Sequence, residues 1–400
     1  MTKNIIIQKF GGTSLHDKKI RRIAASHVKC LIEQDISPVI VVSAIGRKGD
    51  PYATDSLLDL SNSEFPQINY RNKDFLLSCG EAISAVVFSQ ALKQIEIDAV
   101  PLTGFQAGIL TDDNFGNAKV QKVFIKKLLD IIGAGKVPVV CGFQGMDING
   151  EVTTLGRGGS DTTASVLGIA LNAQEIRIYT DVDGIRSADP NKKQNSRVLN
   201  ETSYEEIVEL AYKGANVIHP RAVEIASENF VPIRILSINS GIDGTLIKKI
   251  KSDKPVTGIS SKRDIIFVHI APNEINDYHT GIRIFQLFAA AAISVDFIDI
   301  RQDSISFIID ADMEMKAVEI LKKNNFDFEL KNDLCKVSVV GSGMTGQPGI
   351  MAKIVEALHS QKITILECTD SRTSISCLIA EKNEIKAISA LHKIFDLDVI

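Results

Sequence analysis

Cysteine is present in this sequence, but the spacing that would make it a metal or redox motif is missing. The six cysteines are scattered and include no CxxC pair, which excludes the usual zinc-ribbon and thioredoxin spacings. They are Cys30, Cys79, Cys141, Cys335, Cys368 and Cys377. Scattered cysteines are typical of small apolar core residues in a protein of a reducing compartment.

Long apolar runs and a strong excess of charge are missing as well. The N-terminal stretch MTKNIIIQKFGG contains too short an apolar run for a signal peptide, and no stretch approaches the roughly 18 apolar residues of a membrane span. The formal net charge of −4 gives no reason to expect a polyanionic partner. We therefore expect a soluble, cytoplasmic protein with no nucleic-acid partner and no membrane partner.

Up to about residue 250 the sequence alternates short apolar runs with helix-like stretches. The runs lie at residues 5–7, 39–42, 137–140, 176–179 and 231–235. Continuous apolar runs between helices indicate a mostly parallel sheet with helices on both faces. Ligands of such sheets bind beyond the carboxyl ends of the strands, and the glycine-rich segments described below directly follow apolar runs.

From about residue 255 the sequence repeats itself, because Ser374 stands 70 positions after Ser304 and several neighbours match at the same offset. The matched pairs are Ser304-Ile305-Ser306 with Ser374-Ile375-Ser376, Ile293-Ser294-Val295 with Ile363-Thr364-Ile365, Lys316-Ala317 with Lys386-Ala387, and Leu321 with Leu391. Each copy is predicted to form strand, helix, strand, strand, helix and strand, a split βαβ unit. A duplication therefore builds a second, regulatory lobe, and 400 residues leave room for two or three domains.

The segment KFGGTS, from Lys9 to Ser14, follows the first apolar run. Glycine lets the backbone approach a ligand closely, so successive N–H groups, a hydroxyl and the Lys9 charge can bind phosphate. A tight turn beside a surface lysine is the equally weighted alternative. The segment is not a GxxxxGK[ST] loop, and the HRD and DFG motifs of protein kinases are absent.

A second glycine-rich segment, TTLGRGGSDTT, surrounds Arg157. An arginine on a glycine loop suits bidentate recognition of a carboxylate, and Ser160, Asp161 and Thr162 are candidate caps for a helix through Leu171. The alternative is a capped helix with an incidental arginine.

Three further segments say little alone. Thr180-Asp181-Val182-Asp183-Gly184 and Asp189-Pro190 have the composition of turns. Glu81 follows Gly80 before a predicted helix, where a glutamate is usually a partner of the helix dipole.

Eight segments, taken together, resemble the aspartokinase branch of the amino-acid kinase family in order and spacing. They are KFGGTS, VVSA, YATDSLL, SCGE, GFQG, TTLGRGGSDTTA, YTDVDGI and HPRAVEIA. The duplicated tail resembles the family's tandem ACT domains, so the resemblance covers essentially the whole chain. GRKGDPYATDSLL and CTDSRTSIS look closest to the diaminopimelate-sensitive bacterial aspartokinases.

The resemblance implies an α/β fold and an activity. We expect a mostly parallel sheet sandwiched by helices, the amino-acid kinase fold, over residues 1–250. Two ferredoxin-like βαββαβ ACT domains would follow at 255–330 and 331–400. The implied reaction is ATP-dependent phosphorylation of the L-aspartate side-chain carboxylate, the first step towards lysine and diaminopimelate, threonine and methionine.

The resemblance also implies residue roles. Lys9 and Asp161 would be catalytic, Arg157 would bind the substrate α-carboxylate, and Glu81 would bind its ammonium group. Further substrate contacts would be Ser43, Thr54, Phe143 and Ser160. The nucleotide would be held by Lys9, Gly11, Gly12, Thr13, Thr180, Asp181, Arg186, Asp189 and Asn216. Mg²⁺ would be held mainly by phosphates and water, so no residue is expected as its ligand.

Three positions depart from the family pattern. Arg186 stands where many members have tyrosine or methionine, Asn191 replaces a frequent arginine, and Asn216 replaces the lysine of the usual GAKV. Two cations near the nucleotide are thus missing, and Arg186 is a candidate replacement for one of them.

The segment Gly341-Ser342-Gly343-Met344-Thr345-Gly346 fits the GxGxxG pattern of dinucleotide sites. It lies inside the second repeat, where Pro348-Gly349 opens a helix in the manner of ACT domains. We therefore expect no nucleotide there.

By resemblance, an effector would bind the first ACT copy near Gly281, Ser294, Val295 and Asp296. Diaminopimelate, lysine and threonine are the candidates, and diaminopimelate is favoured by the subgroup. Paired ACT domains imply a homodimer or a larger assembly. Two other hypotheses remain open, a kinase for another amino acid such as glutamate and a catalytically silent amino-acid sensor.

Overall fold

The computed structural model of the protein describes residues 4–215, 217–240, 243–250, 254–270, 278–301, 304–344 and 346–398. They form two compact units. The first contains the described residues up to Arg186, Val198–Tyr212 and those from 217 to 250. The second contains Ser187–Arg197, Lys213–Ala215 and the described residues from 254 onwards. The expected boundary near residue 250 therefore misplaces two short segments, 187–197 and 213–215, which pack within the second unit.

The first unit is built from strands and helices in alternation. Its elements are β1 (Ile5–Phe10), α1 (Lys18–Glu33), β2 (Ser37–Val42), α2 (Thr54–Glu64), α3 (Tyr70–Lys93), β3 (Ala99–Leu102), β4 (Ile109–Thr111), β5 (Val120–Val123), α4 (Lys126–Gly133), β6 (Val137–Cys141), β7 (Gln144–Met146), β8 (Val152–Thr154), α5 (Gly159–Ala170), β9 (Glu175–Thr180), β10 (Glu201–Thr202), α6 (Tyr204–Tyr212), α7 (Pro220–Glu228), β11 (Ile233–Ser237) and β12 (Thr245–Ile247). Five of these strands lie on the apolar runs found in the sequence.

An eight-stranded sheet forms the centre of this unit, in the order β10-β12-β11-β9-β1-β2-β6-β3. All pairs are parallel except β11 with β12. Most residues of the central strands β1, β2 and β6 are buried, as expected of a parallel sheet whose two faces are covered by helices. A separate four-stranded sheet has the order β5-β4-β7-β8. Its strands lie between β3 and α5 in the sequence.

The register of the central strands determines where a ligand can bind. Phe10 at the end of β1 pairs with Val42 of β2 and with Tyr179 of β9. The carboxyl ends of these three neighbouring strands therefore meet at one edge, where the glycine-rich segments begin.

Helix α3 is the one described helix that is long and apolar enough to cross a membrane by length and composition. The expectation that no stretch approaches a membrane span was therefore wrong by that test. Half of the apolar window is buried inside the first unit, and the buried side chains include Asp74, Glu81 and Ser84. Such burial is typical of a core helix in a globular protein.

The second unit contains a six-stranded sheet in the order β14-β15-β13-β16-β18-β17. Its elements are β13 (Gly258–Ile270), α8 (Tyr278–Ala290), β14 (Asp296–Ile300), β15 (Ile305–Asp310), α9 (Glu314–Lys323), β16 (Phe328–Val340), α10 (Ile350–Ser360), β17 (Glu367–Asp370), β18 (Ser374–Ala380) and α11 (Glu384–Ile394). Neighbouring strands are all antiparallel.

The duplication is visible in two equivalent hydrophobic clusters. Ala317 and Leu321 of α9 are fully buried in one cluster, and Ala387 and Leu391 of α11 are buried in the other. These alanine and leucine pairs, which repeat at the 70-position offset, thus pack each helix onto its part of the sheet.

The strand content of the two copies differs from the sequence expectation. β13 and β16 are each long enough to contribute one half to each copy, and their pairing is irregular between Lys262 and Phe267. The N-terminal half of β13, Gly258–Lys262, pairs with Lys336–Val340 and forms the edge strand of the second copy. The described part of the second copy therefore takes this strand from the start of the tail and not from its end, so the first copy is inserted into the second.

Candidate active site

A cavity of about 310 Å³ opens at the carboxyl edge of β1 and β2. Every residue expected to be catalytic or to bind the substrate lines it. They are Lys9, Ser43, Thr54, Glu81, Phe143, Arg157, Ser160 and Asp161. The fold thus brings together side chains from six separate parts of the first unit.

Lys9 and Asp161 form the charged centre of the cavity. The Lys9 Nζ lies 2.7 Å from Asp161 Oδ1, and both side chains are largely shielded from solvent. The contact is electrostatic, because Asp161 Oδ1 accepts no well-directed hydrogen bond from the described residues. Asp161 lies in the first turn of α5, so it can hold the Lys9 ammonium towards the cavity.

The turn after β1 forms the floor beneath Lys9. Gly12, Thr13 and Ser14 lie in a short 3₁₀ helix, and the Ser14 hydroxyl donates to Tyr179 O of β9 (3.2 Å). A Cβ at Gly12 would stand 2.5 Å from Ala44 O. Glycine is therefore required there because the backbone after β2 lies directly against this turn.

Glu81 lies within α3 and not before a helix, as the sequence had suggested, and its side chain is only 2% exposed. The Ala44 N–H donates to Glu81 Oε1 (3.0 Å), whereas Oε2 is buried and has no hydrogen-bond partner among the described residues. Burial raises the pKa of Glu81 to about 8. Glu81 is thus a buried acid with one unused oxygen, and its carboxyl group lines the cavity.

Arg157 is exposed beside the cavity, and no described residue forms an ion pair with it. The next residue, Gly158, caps α5 in the left-handed conformation (φ 70°). The expected side-chain caps Ser160, Asp161 and Thr162 lie inside the helix instead, and Thr162 Oγ1 donates back to Gly158 O (3.1 Å).

Phe143 forms part of the cavity wall in a left-handed backbone conformation (φ 69°). Its N–H donates to Thr163 Oγ1 of α5 (3.0 Å), and a Cβ at Gly159 would stand 2.6 Å from its ring. Left-handed backbone at a bulky residue is held only where its surroundings require it. Packing against α5 therefore fixes Phe143 in the wall of the cavity.

The residues expected to hold the nucleotide are spread more widely. Gly11, Gly12 and Thr13 adjoin Lys9, and Thr180 ends β9 with its hydroxyl 3.1 Å from Asp181 Oδ1. Arg186 faces Asp183 at 3.6 Å. Asp189 is exposed on the segment that packs within the second unit, and Asn216 lies outside the described residues.

The residues expected to bind an effector all lie in the second unit. Gly281 is in the first turn of α8, Ser294 and Val295 precede β14, and Asp296 begins it. Asp296 forms an ion pair with Lys336 of β16, whose side chain is only 1% exposed. Burial opposes ionisation of Asp296, but the Lys336 ammonium outweighs it and lowers the pKa of the carboxyl group.

Three residues near the cavity were not identified from the sequence. Asp74, fully buried, accepts from Thr154 N and Oγ1 (both 2.7 Å), and Arg221 donates to Leu155 O (2.9 Å). These contacts brace the chain just before Arg157. His219 lies over Gly158, with a pKa lowered by partial burial. Only HPRAVEIA pointed to two of them, and nothing local marked Asp74.

Comparison with known proteins agrees with this architecture. Residues 4–237 match the model of the Amino acid kinase family. Residues 329–393 match the model of an ACT domain, which is the second copy of the repeat.

The similarity to individual proteins extends along the whole chain. Aspartokinase 1 of Bacillus subtilis (strain 168) is 44% identical over 401 residues, covering 98% of this chain and 99% of that protein. The crystal structure of Clostridium acetobutylicum aspartate kinase superposes with a TM-score of 0.82 at 25% identity, covering 98% of this chain and 100% of that one. E. coli aspartokinase III in complex with aspartate and ADP has the same fold, with a TM-score of 0.81 at 22% identity and coverage of 98% and 99%.

Proposed function

We propose that this chain, which belongs to the aspartokinase branch of the amino acid kinase family, transfers the γ-phosphoryl group of ATP to the side-chain carboxylate of L-aspartate. The observation that carries the proposal is the cavity that unites Lys9, Glu81, Arg157 and Asp161. It offers a cation for phosphate, a carboxyl group for an ammonium and a guanidinium for a carboxylate, which is the complement of aspartate beside a triphosphate.

The reaction requires positioning and positive charge. A carboxylate is already a nucleophile at neutral pH, so no general base is needed. The transferring phosphoryl group carries negative charge that a fixed cation stabilises. Lys9, held by Asp161 at 2.7 Å, would supply that cation together with the N–H groups of the Gly11-Gly12 turn.

Aspartate would be oriented at its two α-substituents. The unused Oε2 of Glu81 can accept a hydrogen bond from the substrate ammonium, and Arg157 can bind the α-carboxylate bidentately. Ser43, Thr54, Ser160 and Phe143 complete the wall of the cavity. The substrate side chain would then point towards Lys9.

ATP would extend from Lys9 past Thr180 and Asp181 at the end of β9. A protein of the same fold was solved with aspartate and ADP, which supports these ligands here. Within the described residues, no three carboxylate, histidine or cysteine side chains form a metal-binding group. We propose, on the basis of the family resemblance, that Mg²⁺ is held mainly by the phosphates and water, where it would neutralise phosphate charge.

The second unit makes the enzyme a regulated one, since ACT regions serve as allosteric modules in this family. We propose that residues 255–330 and 331–400 act as the two ACT domains and that an amino acid binds near Gly281, Ser294, Val295 and Asp296. Its ammonium group would compete with Lys336 for the Asp296 carboxylate. Diaminopimelate is the favoured effector, with lysine and threonine as alternatives. We further propose that the protein is a homodimer or a larger assembly and that it is located in the cytoplasm.

A hydroxamate assay tests the activity. The purified protein is incubated with ATP, Mg²⁺, hydroxylamine and either aspartate, glutamate or no acceptor. Aspartyl hydroxamate well above the no-acceptor background is expected, and its absence would refute the proposal. Glutamyl hydroxamate instead would indicate a different amino-acid kinase, and no product with either acid would indicate a sensor. Repeating the assay with diaminopimelate, lysine and threonine identifies the effector.

A further inference from the structure

Arg47 lies on a tight turn directly after β2. Its N–H donates to Asp50 Oδ2 (2.8 Å), and the Asp50 N–H donates back to Arg47 O (2.9 Å). The Asp50 carboxylate also contacts His16 Nε2 at 3.4 Å, just beyond the 3₁₀ helix that follows β1. The backbone of Arg47 is therefore fixed by local hydrogen bonds.

This turn rests on the glycine turn expected to bind phosphate. The Gly46 N–H donates to Gly12 O (3.1 Å), and a Cβ at Gly12 would stand 2.7 Å from Gly46 O. Gly46 itself has φ 92° and lies against the Asp50 side chain. Arg47 therefore directly follows Gly46, which contacts the backbone expected to surround the phosphates.

The side chain of Arg47 crosses to β9 and forms an ion pair with Asp181. Both side chains remain exposed, at 68% for Arg47 and 54% for Asp181. Exposed ion pairs of this kind contribute little to stability. A triphosphate, which carries several charges and can accept two parallel N–H bonds, is a stronger partner for a guanidinium than one carboxylate.

The other cations expected near the phosphates already face carboxylates. Lys9 is engaged by Asp161 and Arg186 faces Asp183. Because each of these two cations already faces a carboxylate, ATP bound at this edge would keep negative charge that Mg²⁺ neutralises only in part.

We propose that Arg47 is a phosphate-binding residue of this enzyme, which contacts Asp181 in the free protein and moves onto the triphosphate when ATP binds. The inference rests on the proposed position of ATP between Lys9 and Asp181. It assigns Arg47, on the turn that packs against Gly12, to the nucleotide site.

Binding of nucleotides that differ in phosphate number tests the proposal. The full-length Arg47→Ala, Arg47→Lys and Lys48→Ala variants are titrated with ATP, ADP and AMP, with Mg²⁺ and without aspartate. Arg47→Ala should weaken ATP binding about tenfold or more, the loss of one charge-assisted hydrogen bond, and weaken AMP binding much less. Arg47→Lys should recover part of the loss. Lys48, an exposed cation on the same turn, is the matched control and should leave all three affinities unchanged.

Steady-state kinetics provide the second measurement. Arg47→Ala should raise KM for ATP by a similar factor and leave KM for aspartate within about twofold. Equal weakening of ATP and AMP, or unchanged ATP binding, would overturn the proposal, because Arg47 would then only orient Asp181 or do nothing. A wild-type protein that binds ATP but forms no aspartyl hydroxamate would refute the proposed function and leave this test valid.

Discussion

At the scale of single residues, the site depends on charges that the fold holds apart from bulk water. Lys9 and Asp161 neutralise each other at 2.7 Å, whereas Glu81 is buried with no cation beside it. The Lys9 ammonium group of this pair can bind a phosphate, and the Glu81 carboxyl group can bind an ammonium group. Burial raises the pKa of Glu81 because no cation lies beside its carboxyl group.

Lys9→Ala should separate catalysis from binding. Loss of the cation should lower kcat by about 10²–10³-fold, the range seen when a single electrostatic contact to a transition state is removed. The dissociation constant for aspartate should remain within a fewfold, since Glu81 and Arg157 are unchanged. Equilibrium binding and initial rates measure the two quantities. Lys19→Ala, at an exposed position of α1, is the control, and lost aspartate binding in Lys9→Ala would contradict the assigned role.

The pKa of Glu81, raised to about 8 by burial, predicts a pH dependence of aspartate binding. Below that pH the carboxyl group is neutral, so binding of an ammonium requires release of a proton. KM for aspartate should therefore fall as pH rises from 6 towards about 8 and then level off. In Glu81→Gln, KM should be about 10- to 100-fold higher, without this decrease. The same slope in the variant would assign the titration to another group.

Much of this site could be predicted from the sequence. KFGGTS and LGRGGSDTT each hold their chemical groups within a few consecutive residues, so local order reveals them. Asp74 and Arg47 could not be predicted, because their partners Thr154 and Asp181 are distant in sequence. The environment of Glu81 is also a tertiary property, since burial depends on what α3 packs against.

At the scale of elements, helix α5 organises the cavity through its N-terminus. Its first turn contains Asp161. Gly158 and Gly159 at its start allow other residues to pack closely against the backbone. A Cβ at Gly158 would stand 2.2 Å from the Cβ of His219, the N-cap residue of α7. The start of α5 and the start of α7 therefore pack so closely at Gly158 that no side chain fits there.

Gly158→Ala should destabilise the first unit and impair activity. The left-handed φ of 70° and the overlap with His219 should together cost about 2–4 kcal/mol. Thermal unfolding measures the loss. Gly135→Ala is the matched control, because Gly135 has a φ of 72° but nothing within 4 Å of an added Cβ. Equal losses in both variants would show that only the backbone conformation matters.

At the scale of the whole molecule, the second unit includes the segment Ser187–Arg197, which contains Asp189, one of the residues expected at the nucleotide. Within that unit, Lys192 contacts Glu384 at 2.9 Å, and Ser187 bonds to His392 at 2.9 Å. Glu384 is fully buried and also pairs with Arg263. Burial opposes its ionisation, but bonds from Arg263, Ser261 and Lys192 outweigh that effect and lower the pKa of Glu384 to about 2.

Glu384→Gln should destabilise the second unit by about 3 kcal/mol at neutral pH, because two cations lose their buried partner. A folded pKa below the unfolded value of about 4.5 means that the stabilisation is present above that pH and is lost as pH falls towards about 2. The melting temperatures of wild type and variant should therefore approach each other as pH falls from about 4.5 towards about 2. Glu381→Gln, at a partly exposed contact with Arg263, should change stability by less than about 1 kcal/mol. A constant difference at all pH values would contradict this account.

The sequence by itself determined the alternating strands and helices, the position of the glycine turns and the existence of a duplication. These features depend on periodicity and on neighbouring residues, which a linear pattern records. Only the tertiary structure decided that Gly258–Lys262 complete the second copy of the repeat, that 187–197 pack with it and that Arg47 reaches Asp181. Each of these depends on pairing between distant segments, which is selected by the burial of the whole fold and leaves no local signal.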